Sequence, residues 1–188
     1  MHIGIVVGTN RRTGLSHKLC AGIVPMYTEL ADSLDCLDLR ELPLATLAPE
    51  AYKTPEPEVR AVVQRFLRCD GVVFIVPEYN GSYPGALKLL IDMFPYPGGF
   101  EHRPCAFIGL ASGRFHGLRA VEHLQAVAGY RNAYIYPRRV FIGESHKQFD
   151  AEGRFTDAGL ETRLREQASG FVAYVRALAV LGGPAKEI

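Results

Sequence analysis

Neither sign of charge dominates: 21 Lys and Arg stand against 20 Asp and Glu, a formal net charge of +1 over 188 residues. That balance removes the broad field by which a chain binds nucleic acid or an anionic membrane, so any anion site must be local. No apolar run approaches the roughly 20 residues of a membrane helix. Met1-His2-Ile3-Gly4 runs into a strand-like block without a charged leader or cleavage site, so the expected location is cytoplasmic. The four cysteines, Cys20, Cys36, Cys69 and Cys105, show no C-x-x-C spacing and no His at zinc-ligand offsets. They read as small buried hydrophobes, and no metal site is expected. Neither G-x-G-x-x-G nor G-x-x-x-x-G-K-[ST] occurs, which argues against a standard dinucleotide-binding unit and a P-loop nucleotidase. No repeat, low-complexity segment or composition shift divides the chain, so residues 1–188 are expected to form one domain.

What is present is an alternation of short apolar blocks with helical periodicity, the mark of a parallel α/β sheet. Ile3-Gly4-Ile5-Val6-Val7 is β-branched without polar alternation, as in a strand covered on both faces. Leu15, Leu19, Ile23, Met26, Tyr27 and Leu30 then share a helix face, with Pro25 predicting a kink or early end. Leu34 to Leu39 predicts a second strand, and prolines punctuate an irregular connection over 40–56. Val59, Val62, Val63, Phe66 and Leu67 predict an amphipathic helix leading to Gly71-Val72-Val73-Phe74-Ile75-Val76, the candidate central strand. Helices are expected over 84–94 and 118–127, a fourth strand over 106–110, and a fifth within 133–142, interrupted by Pro137 and placed near an edge. A last helix begins near Asp157 and stops at Gly182-Gly183-Pro184. Five strands and five helices match a flavodoxin-like three-layer sandwich, with strand order 2-1-3-4-5 and helices on both faces.

Ligands of such a sheet sit beyond the carboxyl ends of its strands, where three loops are distinctive. Residues 8–17 lead into a helix N-terminus and carry Thr9, Arg11, Arg12, Thr13 and Ser16, a donor set suited to a phosphate. Gly8 and Gly14 making a turn, with Ser16 as a helix cap, would explain the same residues without a ligand. Pro77-Glu78-Tyr79-Asn80-Gly81-Ser82-Tyr83-Pro84-Gly85 is a stiff loop able to present backbone groups and aromatic surface to a flat heterocycle. Residues 111–117 supply Ser112 and Gly113, with His116 more simply a solvated side chain.

Pro77-Glu78-Tyr79-Asn80-x-Ser82-x-Pro84-Gly85-x-Leu87-Lys88-x-x-Ile91-Asp92 is similar to the P-E-Y-N-x-S-x-P-G-x-L-K-N-A-I-D signature of NADPH-dependent FMN reductases, with Leu89 replacing the usual Asn. The first loop resembles that family's phosphate loop through Gly8, Thr9, Arg11 and Ser16, with Gly14 at a frequent Ser position. The third resembles its S-x-G-x-x-G-G-x-R-A segment through Ser112, Gly117, Arg119 and Ala120, with Phe115-His116 in place of small residues. The resemblance implies FMN held noncovalently by Thr9, Arg11, Ser16, His17, Pro77, Glu78, Tyr79, Asn80, Ser112 and Gly113. It implies hydride transfer from NADPH or NADH to flavin N5, then to a small acceptor such as a flavin or quinone in a ping-pong cycle, with no catalytic side chain required. It further implies a homodimer or homotetramer, with Leu87, Leu90, Ile91 and Phe94 giving the helix after the second loop surplus apolar surface. A quinone or azo-compound reductase differs only in the acceptor. A non-enzymatic flavin electron carrier and a relative that no longer retains FMN are the readings from other classes.

Overall fold

The structure, a computed structural model, describes residues 1–184, with Leu44 described by its backbone alone. Strands β1 (His2–Val7), β2 (Ser33–Asp38), β3 (Gly71–Pro77), β4 (Pro104–Leu110), β5 (Tyr134–Ile135) and β6 (Val140–Ile142) form one parallel sheet of order β2-β1-β3-β4-β5, with β6 also paired to β4. Helices are α1 (Leu15–Thr28), α2 (Pro57–Arg68), α3 (Gly85–Asp92), α4 (Leu118–Tyr130) and α5 (Ala158–Leu178). The expected order is therefore observed, and residues 39–52 of the irregular connection hold three 3₁₀ turns.

The period of two explains why the central strands read as unbroken apolar runs. Val72, Phe74 and Val76 face a core built with α2, α3 and α4, while Val73 and Ile75 face another built with α1 and α5. Both faces are covered, so no polar alternation survives.

Three expectations need correction. The fifth strand is two strands, because Pro137 has no N–H to give to β4. The fully buried Gln167 of α5 fills the break, its amide donating to Phe107 O at 3.0 Å and Arg138 O at 2.9 Å. Helix α1 neither ends nor breaks at Pro25 but continues to Thr28. The cysteines are not isolated from one another: Cys20 Sγ lies 3.7 Å from Cys36 Sγ, and Cys36 is only half-buried.

An ion pair clamps α2 to the edge strand. Arg65 donates Nε and Nη2 to the two carboxylate oxygens of Asp35 at 3.0 and 2.6 Å, and Nη2 also to Cys36 O at 2.7 Å. The Arg65 hydrogen bond holds the Asp35 carboxyl below its ordinary pKa, against the opposing effect of burial. A lowered folded-state pKa contributes stability above the unfolded value, about pH 4, which is lost as pH falls through the depressed one. Asp35→Asn should therefore lower the urea midpoint at pH 7 and flatten its fall between about pH 4 and pH 2; parallel acid series of the two proteins would show it.

No helix of the described residues is long and apolar enough to cross a membrane.

Candidate functional site

The carboxyl ends of β1, β3 and β4 open onto a cavity of about 240 Å³, lined from all three expected loops. The first loop gives Thr9, Arg11, Thr13, Gly14, Leu15 and Ser16; the second, with the end of β3, gives Pro77, Glu78 and Tyr79; the third gives Ala111 and Ser112. A fourth segment, missed in the sequence, adds the buried Ser145. Its N–H donates to Ala111 O at 3.1 Å and Ala111 N–H to Ile142 O at 3.0 Å, so the turn after β6 is tied to the loop after β4. That turn also leaves a carboxyl strand end, a position that could have marked it.

At the first loop, helix α1 begins on Gly14, which has no side chain to cap the exposed N–H groups, and no acidic residue lies in the first turn. The N-terminus thus keeps unsatisfied donors and partial positive charge beside the hydroxyls of Thr9, Thr13 and Ser16. Such a set of donors is chemically suited to an anion. Gly8 seats the loop: its N–H donates to Ile75 O at 2.9 Å, and a Cβ there would lie 2.4 Å from that oxygen.

The second loop owes its stiffness to a tight turn. Tyr79 and Ser82 exchange backbone hydrogen bonds of 2.7 and 3.0 Å around Asn80 and Gly81, both at positive φ (52° and 77°). An Asn-Gly pair at those angles is a type I′ turn, which accounts for Asn80 without any contact to a ligand. Tyr79 ties this loop to the first, sharing a 2.7 Å hydrogen bond between its hydroxyl and that of Thr9, with the Arg11 guanidinium 5.7 Å from its ring centre. Beside it, Glu78 Oε2 is buried with no hydrogen-bond partner, an acceptor facing a cavity that its own chain does not satisfy.

Seven of the ten expected binding residues line this cavity, and His17, Asn80 and Gly113 do not. His17 directs Nε2 to Asp38 Oδ1 at 3.2 Å, linking α1 to β2. In the third loop Ser112, Gly113 and Arg114 are exposed, and the His116 ring packs over Gly143, where a Cβ would come within 2.3 Å of it. The Arg119 guanidinium stacks 4.3 Å from the Phe115 ring centre.

Tyr79 also borders a larger, more apolar cavity of about 580 Å³, whose walls include Leu39, Leu42, Leu47 and, from α3, Ala86 and Leu89. Lys88 and Asp92 border it as an ion pair of 2.6 Å. Leu89, at the signature's Asn position, thus faces open space, whereas Leu87, Leu90, Ile91 and Phe94 are buried within the chain's own core. The surplus apolar surface expected of those four residues is therefore absent.

The profile of the family described as NADPH-dependent FMN reductase matches residues 1–147. A 2-hydroxy-1,4-benzoquinone reductase of a Burkholderia species is 29% identical over 181 residues, covering 94% of this chain and 97% of the relative. An NAD(P)H-dependent FMN reductase of Pseudomonas aeruginosa is 30% identical over 149 residues, 78% of this chain and 80% of its own length. Among solved structures, the flavoenzyme NAD(P)H:(acceptor) oxidoreductase FerB of Paracoccus denitrificans superposes with a TM-score of 0.76 at 25% identity, covering 94% of this chain and 97% of that one.

Proposed function

Since the chain belongs to the NADPH-dependent FMN reductase family, we propose that FMN occupies the rim cavity and that the acceptor served from it is a quinone. The protein is an NAD(P)H-dependent flavin oxidoreductase with FMN as its cofactor. The observation that carries the site assignment is the pairing, across one cavity, of an uncapped helix N-terminus with the partnerless oxygen of Glu78. The first suits a phosphate; the second suits a donor such as a ribityl hydroxyl or ring N–H.

When bound, FMN supplies hydride acceptance from the nicotinamide and its passage to the acceptor. Thr9, Arg11 and Ser16 hold the phosphate, Glu78 and Pro77 line the middle of the site, and Tyr79 walls it from the larger cavity. The Tyr79 N–H is spent on Ser82 O and that of Glu78 on Leu110 O, at 2.7 and 3.0 Å. The N–H groups of Asn80 and Ser112 form no hydrogen bond among the described residues, and that of Ser112, at the cavity wall, would favour negative charge added to a bound flavin. His17 supports the site indirectly, its contact with Asp38 tying α1 to β2.

A quinone fits the apolar walls beside Tyr79, and several relatives carry quinone reductase as their activity. Steady-state NADPH oxidation should run with a higher kcat/KM on 1,4-benzoquinone than on free FMN or an azo dye. Preference for either of those overturns the acceptor, and bound flavin without turnover on any of them overturns the cycle in favour of an electron carrier. Arg11→Ala should weaken FMN binding by about 1.5–3 kcal/mol, the worth of a hydrogen bond to a charged group, in a flavin-fluorescence titration. An unchanged dissociation constant would assign the phosphate to Arg12 or to backbone alone.

We place the enzyme in the cytoplasm, a reducing compartment in keeping with four free thiols. It is expected to sediment as a homodimer closing over the larger cavity, whose Leu47 is 70% exposed and is followed by Tyr52 at 57%. A monomer in sedimentation velocity at micromolar concentration would refute that.

A further inference from the structure

Helix α1 is joined to strand β2 by two rungs. His17 and Cys20, three residues apart on the helix, share a face; Cys36 and Asp38, two apart on the strand, share another. The outer rung is the 3.2 Å contact between His17 Nε2 and Asp38, and the inner is the thiol pair, Cys20 Sγ and Cys36 Sγ at 3.7 Å. We propose that Cys20 and Cys36 are a redox modification site, at which a hydroperoxide closes a reversible disulfide between α1 and β2.

The two sulfurs are already in contact, and a disulfide asks them to close to about 2 Å, the scale of a side-chain rotation with a small helix shift. The partners are unequal. Cys36 is half-buried, and the hydrogen bond from the Cys20 thiol, aided by nearby Arg65, holds its pKa below the ordinary value against burial and the carboxylates of Asp35 and Asp38. Cys20 is 7% exposed, and its pKa is raised by that same hydrogen bond and by burial, so it stays protonated until it reacts. Cys36 is therefore the attacking sulfur and Cys20 the resolving one.

In the first step the Cys36 thiolate attacks one peroxide oxygen; the O–O bond breaks, hydroxide leaves and a sulfenic acid forms. In the second, the Cys20 sulfur displaces that hydroxyl to make the S–S bond, and its proton ends on water. Two thiols lose two electrons, and one hydrogen peroxide becomes two waters. Cys69 and Cys105 serve as internal controls. Both are fully buried, their thiols donate to Arg65 O at 3.3 Å and Arg103 O at 3.4 Å, and burial pushes each up to about 12.

The test uses the FMN-loaded full chain, treated with hydrogen peroxide and then alkylated under denaturing conditions. The expected product is about 2 Da lighter before alkylation, takes up alkylating agent at two cysteines instead of four, and yields a Cys20–Cys36 linked peptide that dithiothreitol reverses. Cys20→Ser and Cys36→Ser should each abolish the link, while Cys105→Ser keeps it; circular dichroism verifies folding. If a serine variant fails to fold, the peptide map of the natural chain decides alone. Sulfinic acid on Cys36 without a link, a link involving Cys69 or Cys105, or a link between two chains would overturn the proposal.

Discussion

Gly8→Ala should weaken FMN binding about 100-fold, the scale on which an ångström of misplacement is felt in a built site, and lower unfolding stability by about 2–3 kcal/mol. The Gly8 N–H makes the last hydrogen bond from β1 to β3 before the phosphate loop departs. An alanine Cβ would stand 2.4 Å from Ile75 O, a backbone atom in the central strand, and 3.1 Å from Leu87 Cδ2 on α3. Neither is free to retreat, so the loop must lift and carry Thr9 with it, breaking the hydroxyl contact to Tyr79. Gly113→Ala is the matched control: it lies in the third loop, a Cβ there meets nothing within 4 Å, and its effect on both quantities should be small. Flavin titration and urea denaturation of the two variants would separate crowding at Gly8 from a general loss of glycine flexibility.

Arg103→Met should cost about 3–4 kcal/mol of stability while leaving FMN affinity intact in the folded protein. Arg103 is fully buried at the start of β4, at the opposite end of the strand from the loop that lines the cavity. Its guanidinium donates to Gly99 O at 2.8 Å and to the carbonyls of Phe66, Leu67, Cys69 and Gly98, closing the carboxyl end of α2 onto the segment after α3. It also lies 5.0 Å from the Phe66 ring centre, beside the packed rings of Phe94 and Phe100. Methionine would fill much of the space but leave buried carbonyls without donors. Arg103→Lys should recover little, since an ammonium group cannot reach a fork of carbonyls. The expected readout is a lower urea midpoint with an unchanged m-value.

The chain announced its strands and the rim loops because burial on two faces and abrupt strand-to-helix turns leave local marks. Val72 to Val76 could be read this way, and so could Pro77 to Gly85. What could not be read depends on pairing across long separations. Gln167 has no local reason to be buried; it is explained only by the missing donor at Pro137, thirty residues earlier. Cys20 and Cys36 lie apart in sequence and meet because α1 packs back on β2. Asn80 belonged to a convincing motif, yet its φ of 52° makes it a turn residue first. His17 sat where a ligand contact was expected; its Nε2 is engaged by Asp38 of β2, a partner 21 residues on, while its Nδ1 is buried without one.

The split at Pro137 has a consequence outside the folded chain. A β-sheet recruits foreign strands through a long unpaired margin, and here one of the two margins is interrupted. One margin is cut into runs of two and three residues, with the exposed Arg138 and Arg139 between them and a side-chain amide occupying the gap. The other, β2, is a six-residue edge strand whose Asp35 and Asp38 are already paired with Arg65 and with Arg40 and His17. Pairing with foreign strands should accordingly be resisted at the interrupted margin, and a substitution that restored a donor at position 137 would remove part of that protection.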